Sequence, residues 1–400
     1  MTSDLRLAFT IPWFGPGIPG GAEMLCREWT AALDRAGWDV RVLTTTIREL
    51  ASDWNQPHYP AGKSRIDGVE IQRFPSSRGN HTTFNRINEK LLQGFPVTRC
   101  EEEAFYREGP NSDEMMRFIS SNRERYWFVF LPYPFGTSYF GMRAAGHKAL
   151  LLPCLHDEAY ARMACMRRRI EGVQGLVFNS APEQRLALKL YGIRSIPQIV
   201  LGMGLDGNIS GEAARFRTKY GIDRPFLLYV GRKDSTKGTD TLVDYYRRFR
   251  ARNPKRPLEL VLAGPGAVRE RLPGVHDVGF LPTADKYDAL AAADLFCQPS
   301  VNESFSIVLM EAWLCGTPVL VNHACPVTRD FALRGRGGVG FGDYFEFEAA
   351  VEYLEDRSEL RQALARSGAE FVRRSFAWPP LIQRFEEWLG GLADGRRTDS

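Results

Sequence analysis

Leu5-Arg6-Leu7-Ala8-Phe9-Thr10-Ile11, then Trp13-Phe14-Gly15-Pro16-Gly17-Ile18-Pro19-Gly20-Gly21, then Ala22, Leu25, Trp29, Ala32 and Leu33 at helical spacing: this opening decides the fold. The first run is apolar almost throughout, as a strand covered on both faces must be. The second is a glycine loop. The third puts apolar side chains on one face of a helix that Gly37 ends, and residues 40–43 resume a strand. Strand, loop, helix, strand is a βαβ unit, and repeated units of this kind make an α/β protein with a doubly wound parallel sheet.

The alternation continues. Residues 69–74, 126–131, 149–153 and 175–179 read as strands, and Ser180-Ala181-Pro182-Glu183 reads as a capped helix start with proline in the first turn. Residues 76–83 read as a polar loop and 84–122 as helical, with Glu101-Glu102-Glu103 on a solvated face. Residues 199–209 are glycine-rich and carry no period, which puts a domain boundary near 205. Strands resume at 225–230, 258–263, 276–278, 295–298 and 318–321. A last helix shows Phe376, Trp378, Leu381, Ile382, Phe385 and Trp388 on one face, before a polar tail expected to fray.

Four hundred residues suit two such domains. The chain is 44% hydrophobic and 25% charged, which excludes wholesale disorder. Its net charge of +4 lacks the strong basic excess of a nucleic-acid binder. Seven cysteines, an odd number without a C-x-x-C pair, read as reduced thiols of a cytoplasmic protein rather than a disulfide frame or a metal site. Residues 1–11 do not resemble a secretory leader, and no window is apolar enough to span a bilayer, so any membrane contact would be peripheral.

Four clusters carry chemistry. Pro299 to Glu311 follows a strand and opens a helix, with Glu303 in the loop, Glu311 about two turns into the helix, and free amides near 305–308 that favour an anion. In isolation, a helix with acidic neighbours would look the same. Gly231-Arg232-Lys233-Asp234-Ser235-Thr236-Lys237-Gly238 puts cations where a strand ends, suited to phosphate, though a solvated basic loop has the same letters. Gly15-x-Gly17-x-x-Gly20 has the spacing of a dinucleotide loop, but Pro16 and Pro19 remove donors and no carboxylate follows the second strand, so nicotinamide binding is not expected. His156, in Leu155-His156-Asp157-Glu158, could donate to a substrate oxygen or serve only as a structural hydrogen bonder.

Together these residues resemble family 4 retaining glycosyltransferases of GT-B architecture. Gly20-Gly21-Ala22-Glu23, His156-Asp157, Gly231-Arg232 with Lys237-Gly238, Ala263-Gly264-Pro265-Gly266, the E-x7-E pair Glu303 and Glu311, and the final Trp378 helix carry the resemblance. It implies two Rossmann-like domains facing across a cleft: 1–204 binding an acceptor, 205–375 binding a nucleotide sugar, and 376–400 crossing back onto the first domain. It implies a UDP- or GDP-linked donor as co-substrate, a saccharide, lipid-linked or small-molecule acceptor, and no metal or other cofactor; the sequence has no Asp-x-Asp. By the same resemblance Arg232 and Lys237 neutralise the diphosphate, Glu303 contacts the donor sugar and Glu311 holds ribose hydroxyls. The amides of Ser304, Phe305, Ser306 and Ile307 hold sugar and diphosphate, Gly20, Gly21 and Gly231 let backbone approach, and His156 lies near the sugar. Gly264, Phe280 and Leu281 flank the base.

Two departures stand out. Ser304 and Ser306 replace glycines usual in the family, which strains any position needing positive φ or adds hydroxyls toward the sugar. Residues 325–330 lack the usual glycine-rich loop, leaving Arg329 and Asp330 as minor candidates. A non-catalytic nucleotide-sugar-binding partner protein and a GT-B epimerase are the alternative readings. Arg162, Arg167, Arg168 and Arg169 lie among apolar residues, a pattern that would suit an anionic membrane or an ordinary half-buried helix.

Overall fold

The computed structural model describes residues 5–18, 20–267 and 272–395. The polar start at 1–4, Pro19 of the first loop and the end of the tail lie outside the described residues. The chain divides into two compact units, Met1–Gly204 with Trp378–Ser400, and Leu205–Ala377.

The first unit holds an eight-stranded sheet: β1 (Arg6–Thr10), β2 (Asp39–Thr45), β3 (Gly62–Ile66), β4 (Val69–Phe74), β5 (Trp127–Phe130), β6 (Ala149–Leu151), β7 (Gly175–Phe178) and β8 (Gln198–Val200), in the order β3-β4-β2-β1-β5-β6-β7-β8. All pairings are parallel except β3 with β4. The central strands are apolar because helices cover both faces; every residue of β5 and β7 is buried. The exception is an edge hairpin, closed by Asp67 and Gly68, both at positive φ.

The second unit holds a six-stranded parallel sheet: β9 (Phe226–Val230), β10 (Glu259–Ala263), β11 (Val275–Gly279), β12 (Leu295–Gln298), β13 (Val319–Asn322) and β14 (Gly338–Phe341), ordered β11-β10-β9-β12-β13-β14. The order reverses between β9 and β12, the place where an open α/β sheet parts its loops and takes a ligand.

Helix Trp378–Ala393 packs within the first unit, on helix Gly21–Arg35. Trp29 meets Trp378 edge-on at 5.2 Å between ring centroids, and Trp38 Nε1 donates to Glu386 at 2.6 Å. A Cβ on Gly204 would stand 2.3 Å from the Trp378 ring, so only glycine fits beneath it. Phe376, read with this helix in the sequence, instead packs against Phe305 and Phe331 of the second unit.

One surface reading changes, and one left open is decided for the helix segment. Glu102 is buried and accepts the amides of Ala164 and Cys165 at 3.0 and 2.9 Å, and Glu101 caps its own helix through Thr98 and pairs with Lys90. The acidic run is therefore mostly structural rather than solvated. The arginine-rich segment is a 3-10 turn, Ala159–Arg162, and a seven-residue helix, Ala164–Ile170. Its Ala161, Met163, Met166 and Ile170 belong to the unit's core, Arg162 pairs with Asp157, Arg167 pairs with Glu171, and Arg169 lies over Tyr139. Its apolar side faces the core rather than a bilayer. Among the described residues no helix is long and apolar enough to cross a membrane.

Candidate active site

The two strands flanking the order reversal of the second unit deliver the cations and the acidic loop to one place. β9 ends at Val230, and Tyr229 reaches forward to donate to the Arg232 carbonyl at 2.6 Å, fixing the loop. Asp234 accepts the Lys237 amide at 3.0 Å and closes a 3-10 turn, after which Gly238 sits at φ 73. A Cβ there would stand 2.8 Å from the carbonyl oxygen of Pro299, the residue that leaves β12. The glycine thus lets the cationic loop abut the acidic one, and the Lys237 ammonium donates to Glu303 Oε1 at 2.8 Å. Arg232 is largely exposed, with Nε 3.6 Å from Asp234. Lys233 plays another part: it is buried and paired with Asp277, a structural contact.

Ser304 and Phe305 lie in the loop, and helix Ile307–Leu314 starts after Ser306. Glu311 is therefore the fifth helical residue, one turn in rather than two. Its side chain is only 5% exposed. Oε1 accepts from Lys286 Nζ at 2.6 Å and from Tyr287 Oη at 3.3 Å, while Oε2 is buried with no hydrogen-bond partner. A buried carboxylate oxygen left open costs on the order of 1–3 kcal/mol, a cost that a ligand hydroxyl would remove.

Phe305 is an anchor. Its ring packs on Phe331 and Phe376 at 5.5 and 5.1 Å, so only its backbone is offered to a ligand. Ser306 lies at φ 68, the left-handed region where glycine is at ease and serine is strained. Its Oγ accepts from Gln298 Nε2 at 3.1 Å, which holds it there. Ser304 is not among the positive-φ residues, so its replacement of glycine costs no strain. The amides of Ser304, Phe305, Ser306 and Ile307 find no acceptor among the described residues, and the helix has no side-chain cap.

Gly231 and Gly264 lie where β9 and β10 end. Gly264, at φ 127, would put a Cβ 2.0 Å from the Gly231 carbonyl oxygen, so the two loops touch through backbone alone. β11 leads into Phe280, 61% exposed, and Leu281, buried. Phe280 thus presents a ring to solvent on the sheet's far side, three strands from β12. Arg329 is exposed and donates to the His323 carbonyl, and Asp330 pairs with Arg334.

In the first unit, Gly20 and Gly21 are exposed at the start of helix Gly21–Arg35, whose first amides have no side-chain cap. A Cβ on Gly20 would strike the Glu23 carboxylate, which accepts from Trp13 Nε1. His156 is half-buried in the loop after β6, its carbonyl accepting the Glu158 amide at 3.0 Å. Lys286, Tyr287 and Gln298 carry no sequence mark of this role and meet the acidic segment only in three dimensions. Among the described residues no group of three or more His, Cys, Asp or Glu is placed to share a metal ion.

This is the GT-B fold. A sucrose-phosphate synthase from Thermosynechococcus elongatus superposes with a TM-score of 0.73 over 98% of this chain and 100% of that one, at 16% identity. A trehalose-6-phosphate synthase studied for glycosyl transfer with retention gives 0.72 over 97% and 99%, at 10% identity. The Anabaena protein HepE in complex with UDP-glucose gives 0.68 over 97% and 100%, at 16% identity. Residues 224–356 match the model of the family described as glycosyl transferases group 1. A D-inositol 3-phosphate glycosyltransferase of Thermomonospora curvata is 31% identical over 252 residues, 56% of this chain and 58% of that protein. The chain thus spans under two thirds of the length of the curated relatives it matches.

Proposed function

We propose that the protein is a retaining, metal-independent glycosyltransferase that moves a sugar from a UDP- or GDP-linked donor to a saccharide, lipid-linked or small-molecule acceptor. The observation that carries this is the meeting of Lys237 with Glu303 at the sheet's reversal point, in the loop that leads into the helix on which Glu311 keeps an open oxygen. The matched relative and the HepE complex support the activity and the donor class, and the trehalose-6-phosphate synthase supports retention. In this reading the first unit takes the acceptor and the second the donor.

The chemistry follows from charge. As the bond from the anomeric carbon to the diphosphate breaks, negative charge grows on the phosphate, and preorganised cations stabilise it. Arg232 is exposed and available, and Lys237 exchanges Glu303 for the phosphate as the donor enters. Glu303, released, is left to meet the donor sugar. Glu311 Oε2 accepts from a ribose hydroxyl, and the open amides before Ile307 meet the sugar and diphosphate.

A thermal-shift panel of UDP, GDP, ADP and dTDP with their common sugars tests the reading. One nucleotide at 100 times its Kd should stabilise by about 2.7 kcal/mol. No shift with any of them would favour the non-catalytic reading. With a donor in hand, metal chelation should leave the rate unchanged, and a large loss would overturn the metal-free part. The anomeric configuration of the product, read by NMR, decides retention.

A further inference from the structure

We propose that Glu183 is a positioning residue for His156, acting through the backbone amide of Leu155. Its consequence for catalysis rests on the function proposed above. Glu183 is the third residue of helix Ala181–Tyr191 and only 1% exposed. A glutamate at this place in a capping box ordinarily turns back to the cap's own amide. Here Oε1 accepts the Leu155 amide at 2.6 Å and Oε2 accepts the Asn179 amide at 2.6 Å. The first bond ties the loop after β6 to the helix after β7, across 28 residues of chain.

The loop it ties is under strain. Cys154 stands at φ 52, a conformation that a non-glycine residue keeps only when its surroundings over-determine it. Two side chains of one segment supply that hold: Glu183 through Leu155, and Asn179, whose Nδ2 lies 3.7 Å from Cys154 Sγ. The next residue out of the turn is His156. Burial pushes the Glu183 carboxyl up to about 8, against backbone amides that pull it down, so the chain keeps an ionisable group here at a cost in desolvation. A glutamine would keep one acceptor and turn an NH2 toward the other amide.

His156 is one of six histidines, so its imidazole carbon-bound proton can be followed by NMR and assigned with His156→Gln. Glu183→Gln is expected to shift or split that signal and leave the other histidines in place. With UDP-glucose as the probe donor, the same variant should lower kcat for UDP release, by up to about 10²-fold for a misplacement near 1 Å, at unchanged KM. In a His156→Ala background it should add no further loss. Asn179→Ala, which keeps Glu183, should move the His156 signal in the same direction and serves if Glu183→Gln does not fold. An unmoved His156 signal in both variants, or losses that add in full, overturns the proposal. If the wild type releases no UDP from UDP-glucose, that counts against the proposed donor and activity, and the NMR comparison alone decides the positioning role.

Discussion

Glu183 and Glu311 are both buried carboxylates on helices that follow parallel strands, one in each unit. They are satisfied in opposite ways. Glu183 spends both oxygens on backbone amides of its own unit. Glu311 spends one on Lys286 and Tyr287 and leaves the other buried and open. Burial and residue type are the same in the two cases; what differs is the unmet oxygen of Glu311, which in the proposed function is the one a ligand hydroxyl meets.

The largest effect should come from the cation that meets Glu303. Lys237→Ala is expected to lower kcat by about 10²-fold or more, because the charge growing on the leaving phosphate loses a preorganised partner. Glu303→Gln should do something different: without its carboxylate neighbour Lys237 is free for phosphate, so nucleoside diphosphate binds more tightly while turnover falls. Steady-state kinetics with a binding assay reads both. Full activity in Lys237→Ala would remove this loop from the mechanism.

Next comes the comparison itself. Glu311→Ala should abolish the thermal shift given by the bound nucleotide, about 2.7 kcal/mol at 100 times Kd, while Glu183→Gln keeps it. A shift that survives in Glu311→Ala would show that its open oxygen faces no ligand, and the contrast between the two carboxylates would fail.

The closed carboxylate should declare itself through pH. Its pKa in the fold, about 8, lies above the ordinary carboxyl value, so Glu183 favours the folded state at low pH and that contribution is lost as pH rises through about 8. Glu183→Gln cannot ionise. Its Tm deficit against the wild type should therefore shrink as pH rises from about 5 to about 8 and level off above that. A deficit that stays constant would mean that the Glu183 carboxyl is already ionised in the fold across this range.

Much of this was legible in the residues. Apolar runs and glycine loops place the two sheets, because a strand buried on both faces has little choice of side chain. Lys237 and Glu303 are legible as candidate neighbours because each lies in a loop that leaves the C-terminal end of a strand, and β9 pairs with β12. The edge hairpin was not: β3 is Gly-Lys-Ser-Arg-Ile, exposed and without alternation, and only the Asp67-Gly68 pair hints at it. The burial of Glu102 is invisible in the sequence because its partners are 62 and 63 residues away, and an acidic run carries no mark of which member is buried. Lys286 was hidden in the same way, 25 residues before the carboxylate it meets.

The smallest effect tests a residue where sequence and backbone disagree. Ser306 sits in a left-handed conformation that its side chain resists and that Gln298 helps to hold. Ser306→Ala and Ser306→Gly both lose the hydroxyl and its bond to Gln298, but only glycine also loses the steric penalty. The glycine variant should therefore be more stable than the alanine variant by about 1 kcal/mol, measured by denaturant unfolding. Equal stabilities would mean that the helix start relaxes out of the left-handed region once the hydroxyl is gone, and that the Gln298 bond, rather than the course of the loop from β12, sets the backbone there. A clear gap would place the constraint in the loop and leave the hydroxyl as an addition that this chain has fitted into a backbone shaped for glycine.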